Sequence, residues 1–184
     1  MSWEEDLEEL KKRAELAKEM GGIERIAKHY ARGRLTVRER IDKLLDENSF
    51  HETGELTGKV TYDEDGEIKE FVPANFVFGR GKVEGREIVV AGDDFTVRGG
   101  AADARIGNKS LYSLKLAEYH RLPLVNLVDG SGGGGSVKTL ETMGATYVPG
   151  LPSWQNIVRL LSMVPVVGAC MGSVAGLGSA RVVA

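Results

Sequence analysis

The residues best suited to chemistry in this chain are backbone amides at two glycine-dense turns. Asp129 to Gly135 follows an apolar run, Pro123 to Val128, and Gly172 to Gly178 follows a second, Val164 to Ala169. Each run reads as a strand covered on both faces. Each turn therefore stands at the C-terminal end of a buried strand, and the second should open a helix. Amide N–H groups in such positions lack backbone partners, and a helix N-terminus adds positive potential, so both turns favour an anion. Two converging turns can hold one oxygen that becomes negative during a reaction, an oxyanion hole.

Other uses of these glycines fit poorly. Gly130, Gly132 and Gly135 satisfy the dinucleotide spacing G-x-G-x-x-G, but that fingerprint also needs an acid about 20 residues on. The corresponding stretch, Pro149 to Asn156, has none. Lys138 and Thr139 follow Val137, where a phosphate-binding loop needs glycine. No serine lies in G-x-S-x-G, which removes the hydrolase elbow. His29, His51 and His120 have no paired-ligand spacing, so no metal site is expected. Asp93 and Asp94 are adjacent in a predicted strand and should point to opposite faces. What remains is catalysis by backbone dipoles without an evident acid, base or nucleophile, which suits enolate formation on a thioester.

The elements that must carry these turns follow from periodicity. Trp3, Leu7, Leu10, Ala14 and Ala17 mark a helix over residues 3–20, stopped at Gly21 and Gly22. Helical segments follow at Ile23 to His29 and after Thr36, whose partner in a capping box is Glu39. Seven basic residues against two acidic ones lie between positions 25 and 43, a solvated face or a cradle for phosphates. From residue 55 short β-rich runs broken by Asp63 to Gly66 and by Glu84-Gly85 predict an antiparallel meander. Asp94 to Val97 reads as one more strand. Helices at Ala104 to Tyr119 and Trp154 to Met163 then alternate with the two buried strands.

The chain has 184 residues, 42% hydrophobic and 28% charged, with a net charge of −3. That balance suits a folded domain and gives no reason to expect nucleic acid. The apolar stretch Met163 to Met171 holds a proline and a glycine and falls short of the roughly 20 residues of a membrane span. A single cysteine, Cys170, and an acidic start lead to the expectation of a cytoplasmic protein. The apolar end, Ser179 to Ala184, leads to the expectation of a fragment or one piece of a split protein.

Five blocks carry a family resemblance, in order: Gly33 to Asp46 with Ser49-Phe50, Gly79 to Arg86, Asp94 to Gly100, Ser131 to Gly133, and Gly172 to Gly176. Together they resemble the N-terminal part of the carboxyltransferase (beta) subunits of biotin-dependent acyl-CoA carboxylases, the propionyl-, acetyl- and methylcrotonyl-CoA group. The resemblance implies an α/β fold of crotonase (ClpP/crotonase) type, a ββα spiral, here incomplete. An N-terminal helical segment, residues 1–50, would precede a truncated carboxyltransferase N-terminal domain, residues 51–184.

It further implies that amides among Gly132, Gly133, Gly134, Ala175 and Gly176 hold the thioester oxygen of an acyl-CoA. Carboxybiotin, on a separate carrier, would release CO₂. Its ureido nitrogen would take the α-proton, and the enolate would attack CO₂. Correct donor placement is typically worth about 2.7–4 kcal/mol per donor. Arg34, Arg38, Arg40 and Lys109 are the implied contacts to CoA phosphates. A biotin carboxylase and biotin carrier subunit and a homo-oligomer of the trimer-of-dimers type are the implied partners.

The sequence also departs from the family. The first loop usually reads Asp-Ser-Gly-Gly-Ala-Arg, whereas glycines fill Gly132 to Gly135, and Leu177 replaces a glycine in the second. A larger or unusual acyl group is the expectation. No Ala-Met-Lys-Met stretch occurs, so biotin is not attached here. A second crotonase-type half, supplying the oxyanion hole for biotin, is missing, and little turnover is expected from this chain alone. The alternatives are a biotin-free crotonase-type decarboxylase or hydratase, and a non-catalytic assembly subunit.

Overall fold

The computed structural model describes residues 3–101, 108–130, 137, 140–141, 144–145 and 154–183. The chain opens with three helices, α1 (Trp3–Lys18), α2 (Ile23–Tyr30) and α3 (Val37–Leu44). α3 starts as its sequence dictates. The Thr36 hydroxyl accepts from the Glu39 N–H, and a Glu39 carboxylate oxygen accepts from the Thr36 N–H at 2.8 Å. Met20 takes a left-handed φ of 53° beyond α1. Gly21 then donates to the Thr96 hydroxyl at 2.9 Å. A Cβ on Gly21 would lie 2.1 Å from the Thr96 carbonyl oxygen, so only glycine lets these backbones meet.

Among the described residues seven strands follow, in two sheets. β1 (His51–Glu52), β4 (Phe76–Val83), β5 (Arg86–Asp93), β6 (Leu124–Val128) and β7 (Val166–Cys170) form the main sheet in the order β1-β4-β5-β6-β7. β2 (Gly58–Tyr62) and β3 (Ile68–Pro73) form a separate antiparallel hairpin against α1. β1, β4 and β5 pair antiparallel, and β5, β6 and β7 pair parallel. The tight β4–β5 turn puts Glu84 and Gly85 at φ 50° and 77°, the geometry that matches strand twist in a two-residue hairpin. Asp46, just after α3, accepts from both turn amides at 2.8 and 2.7 Å.

Period-two alternation divides the sheet into two faces. Phe76, Phe78, Val89, Ala91 and Leu124 pack with Leu114 and Ala117 of α4 (Lys109–His120) and Ile157 and Leu160 of α5 (Trp154–Leu161). Val77, Ile88, Val90 and Leu127 pack with Val37, Ile41 and Leu45. α3 is therefore part of the sheet's own core. Burying each of the larger of these side chains, Val, Leu, Ile or Phe, is worth about 1.5–3 kcal/mol. The last helix, α6 (Leu177–Val183), lies close on β7, where a Cβ on Gly168 would come 2.8 Å from the Val182 Cα.

One segment differs from the sequence expectation. Asp94 to Val97 is a turn leading into a short 3₁₀ segment, Arg98–Gly100, and not a strand. The Asp94 carboxylate accepts from both the N–H and the hydroxyl of Thr96, at 2.9 and 2.6 Å. This local pair competes with strand pairing and turns the chain. The expected helix from Ala104 is described from Lys109 onward, and 102–107 lie outside the described residues.

Candidate active site

β5, β6 and β7 run parallel, so Asp93, Asp129 and Met171 end up along one edge of the sheet. Ligands of open α/β sheets bind at this C-terminal edge. Asp129 is fully buried there. Its Oδ2 accepts from Arg40 Nη1 at 2.7 Å, and Arg34 Nη1 stands 3.9 Å from Oδ1. Oδ1 is buried and has no hydrogen-bond partner among the described residues. Gly172 makes room for it, since a Cβ there would come within 2.2 Å of Oδ1. The Asp129 N–H in turn donates to Asp93 Oδ2 at 3.2 Å.

Three glycine segments meet beside this cluster. A Cβ on Gly130 would lie 2.6 Å from the Gly100 carbonyl oxygen, and one on Gly178 would lie 2.7 Å from that of Gly130. The start of the first glycine loop therefore touches the first turn of α6. Ala175 and Gly176 are exposed just before that helix, with Gly176 at φ 58°. Gly132, Gly133 and Gly134 lie outside the described residues.

The expected phosphate contacts have carboxylate partners. Arg38 Nη1 is 2.7 Å from Glu52 Oε2, and Lys109 Nζ is 3.5 Å from Glu52 Oε1. Lys109 is buried, 5.8 Å from the Phe78 ring centroid. Burial holds its ammonium below the usual lysine range, although Glu52 opposes the shift. Arg40 is buried on Asp129, and its Nη2 lies 3.5 Å from His29 Nε2. Arg34 stacks 5.7 Å over Phe95.

Four residues of this edge were not singled out as site residues from sequence: Asp129, Asp93, Arg181 and Glu52. Arg181 Nη1 bonds both Asp93 oxygens at 3.0 and 3.2 Å. A carboxylate ending an apolar strand, as Asp129 does after Val128, was the available signal, because a buried charge requires a partner. Among the described residues no group of three or more His, Cys, Asp or Glu is gathered to hold a metal. None of the described helices is long and apolar enough to cross a membrane.

Known proteins resemble this chain over most of its length. A carboxyl transferase domain is matched over residues 28–180. The chain is 34% identical over 163 residues to a probable biotin-dependent acyl-coenzyme A carboxylase beta2 subunit of Mycobacterium tuberculosis, covering 87% of this chain and 29% of the relative. It is 30% identical over 173 residues to the methylmalonyl-CoA decarboxylase subunit alpha of Veillonella parvula, covering 94% and 33%.

The transcarboxylase 12S crystal structure with hydrolysed methylmalonyl-coenzyme A bound superposes with a TM-score of 0.74 at 28% identity, covering 98% of this chain and 35% of that one. The chain thus spans about a third of the length of the proteins it matches. The fold is the incomplete crotonase-like α/β arrangement, with helices ahead of a partial sheet. By the match over most of its length, this chain belongs to the carboxyl transferase domain family.

Proposed function

We propose that this chain forms the acyl-CoA side of a carboxyltransferase that moves a carboxyl group from carboxybiotin to an acyl-CoA. The observation that carries the reading is the contact between Gly130 and Gly178, which brings the two glycine turns to one corner. In this reading the amides of Gly132, Gly133, Gly134, Ala175 and Gly176 are the donors to the thioester oxygen, and they stabilise its enolate. Donors fixed in advance cost no reorganisation as charge develops.

Carboxybiotin, carried on a separate protein, supplies the carboxyl group. The buried cluster Arg40–Asp129–Asp93–Arg181 fits a supporting part, because it anchors the residue before the first loop and the helix after the second. A direct bond from Arg38, Arg40 or Lys109 to a CoA phosphate would take that residue off the carboxylate it neutralises, so in this reading these three hold the corner in shape. A second crotonase-type half completes the site for biotin, and biotin carboxylase, the carrier subunit and further copies of the enzyme assemble around it.

Removal of the carboxyl group is a second reading, favoured by the decarboxylase name of the Veillonella relative. Both readings use the same enolate-stabilising corner.

The test is transfer of labelled carboxyl from carboxybiotin to a panel of acyl-CoA thioesters by assembled enzyme containing this chain. Gly178→Ala serves as the companion variant. Its Cβ would come 2.7 Å from the Gly130 carbonyl oxygen and displace the start of the first loop, and loss of one oxyanion N–H donor typically costs about 10²–10³ in kcat. An assembled enzyme that carboxylates and decarboxylates no acyl-CoA would overturn the proposal.

A further inference from the structure

Helix α1 carries an apolar seam that the described residues leave uncovered. Trp3, Leu7 and Leu10 are 82, 50 and 47% exposed, and the partly exposed Ala14 continues the same 4-3-4 rhythm. That rhythm is the 3.5-residue repeat of a coiled-coil seam. The helix docks on its own chain by a different side. Arg13 bonds the Tyr62 hydroxyl and Lys12 pairs with Glu67 at 3.2 Å, both on the β2–β3 hairpin. At about 100° per residue, the half-buried Glu9, Arg13 and Leu16 centre roughly a third of a turn away from the seam. Charge is divided along α1 as well. Residues 3–10 hold five acids and no base, and residues 11–18 hold four bases and one acid.

We infer that α1 is a self-association surface, which pairs antiparallel with α1 of a second copy of this chain. With Leu7 set against Leu10 of the second copy, two-fold symmetry repeats the same contact in reverse. Trp3 then meets Ala14 of the second copy, a large ring over a small residue, and every seam position has a partner. In heptad terms Glu4 comes beside Lys11 of the second copy, and Asp6 beside Arg13 of the second copy. A parallel pair would instead stack the five acids on their own counterparts, crowd Trp3 against its equivalent and leave a gap at Ala14. Like charges placed opposite one another disfavour that arrangement, and opposite halves meeting favour the antiparallel one. Packing on the hairpin has already formed the helix, so pairing does not bear the cost of nucleating it.

Sedimentation equilibrium on the full chain tests the pairing. Wild type should associate reversibly, and less tightly as salt screens the flanking charges. Leu7→Gln/Leu10→Gln should weaken association about tenfold or more, with an unchanged circular dichroism spectrum because both side chains are exposed. Glu4→Lys and Lys11→Glu should each weaken self-association, since each places like charges across the antiparallel pair. An equimolar mixture of these two variants should recover it, because opposite charges then meet at both contacts. A wild type that stays monomeric at roughly 100 μM overturns the inference, as does association that the leucine double variant leaves unchanged. So does weakening by Lys11→Glu but not by Glu4→Lys, which marks a parallel pair with Asp6 beside Lys11. A mixture that associates no more tightly than either variant alone overturns it too. None of these readouts involves acyl-CoA, so the carboxyltransferase reading stands or falls separately.

Discussion

Arg181 on α6 grips both carboxylate oxygens of Asp93 at the end of β5, with its Nη1 at 3.0 and 3.2 Å. The same carboxylate accepts from the Asp129 N–H, so one buried acid links the ends of two strands to the last helix. The Arg181 guanidinium also lies 5.6 Å over the Phe76 ring, within the larger core. A pair this buried contributes through what its loss would leave behind. Arg181→Met takes the guanidinium away from a carboxylate that is 1% exposed, and breaking a buried pair in this way costs about 3–5 kcal/mol. Urea unfolding should report that loss, and Arg181→Met/Asp93→Asn should recover a large part of it. A cost below about 1 kcal/mol would mean that the pair behaves as a surface bridge does.

Gly172→Ala should disturb the corner from the other side. The new Cβ would meet Asp129 Oδ1 at 2.2 Å, with Arg34 Nη1 at 3.1 Å. Asp129 cannot retreat without lengthening its bond to Arg40, so the end of β7 must move. Overpacking of this kind costs about 1–3 kcal/mol. Because β7 leads into Ala175 and Gly176, acyl-CoA affinity should fall along with stability. Unchanged affinity in a destabilised variant would show that the end of β7 does not shape the ligand site.

What the sequence made legible was local or periodic. The capping box of Thr36 and Glu39 sits within one turn, and the Glu84-Gly85 hairpin needs only its own φ preferences. The two faces of β4 and β5 follow from alternation of Phe76, Val77 and Phe78 against Ile88, Val89 and Val90. The partners of the charged residues were hidden for the opposite reason. Arg40 and Asp129 are 89 positions apart, and nothing near either one announces the other. The basic residues between positions 25 and 43 read as one face, solvated or cradling phosphates. Folding divided it, turning Arg38 and Arg40 inward to carboxylates and leaving Arg25, Lys28 and Arg32 at the surface. At Asp94 the β-like residues Phe95 to Val97 suggest a strand, whereas two short hydrogen bonds from Thr96 to one carboxylate turn the chain.

Asp94 gives a prediction with a definite sign. Burial pushes its carboxyl above the ordinary value, against the Thr96 hydrogen bonds that favour the anion. The folded protein therefore keeps this proton to higher pH than the unfolded chain, which releases it near about 3.9. Between those two values the native state binds more protons, so this group's contribution falls as pH rises through the window. In Asp94→Asn the amide oxygen can still accept from Thr96, and the falling contribution disappears. Thermal midpoints of the variant relative to wild type should rise between pH 4 and pH 7. A constant difference across that range would show that Asp94 titrates normally.

Lys109 should act with the opposite slope at the alkaline end. Burial lowers its pKa, with Glu52 pulling the other way and Arg38 adding to the depression. The unfolded chain holds this proton up to about 10.4, while the folded protein gives it up earlier. In that window the unfolded state binds more protons, so stability gains from rising pH until the ordinary lysine value is reached. Lys109→Met removes the titrating group and keeps an unbranched side chain over Phe78, with Arg38 still on Glu52. The thermal midpoint of wild type should therefore climb relative to Lys109→Met as pH is raised from 8 toward 10. Acyl-CoA affinity separates the two roles this lysine could have. As a buried partner of Glu52, its loss leaves the salt dependence of binding unchanged, whereas a direct phosphate contact would reduce the slope of log affinity against log salt by close to one cation's share.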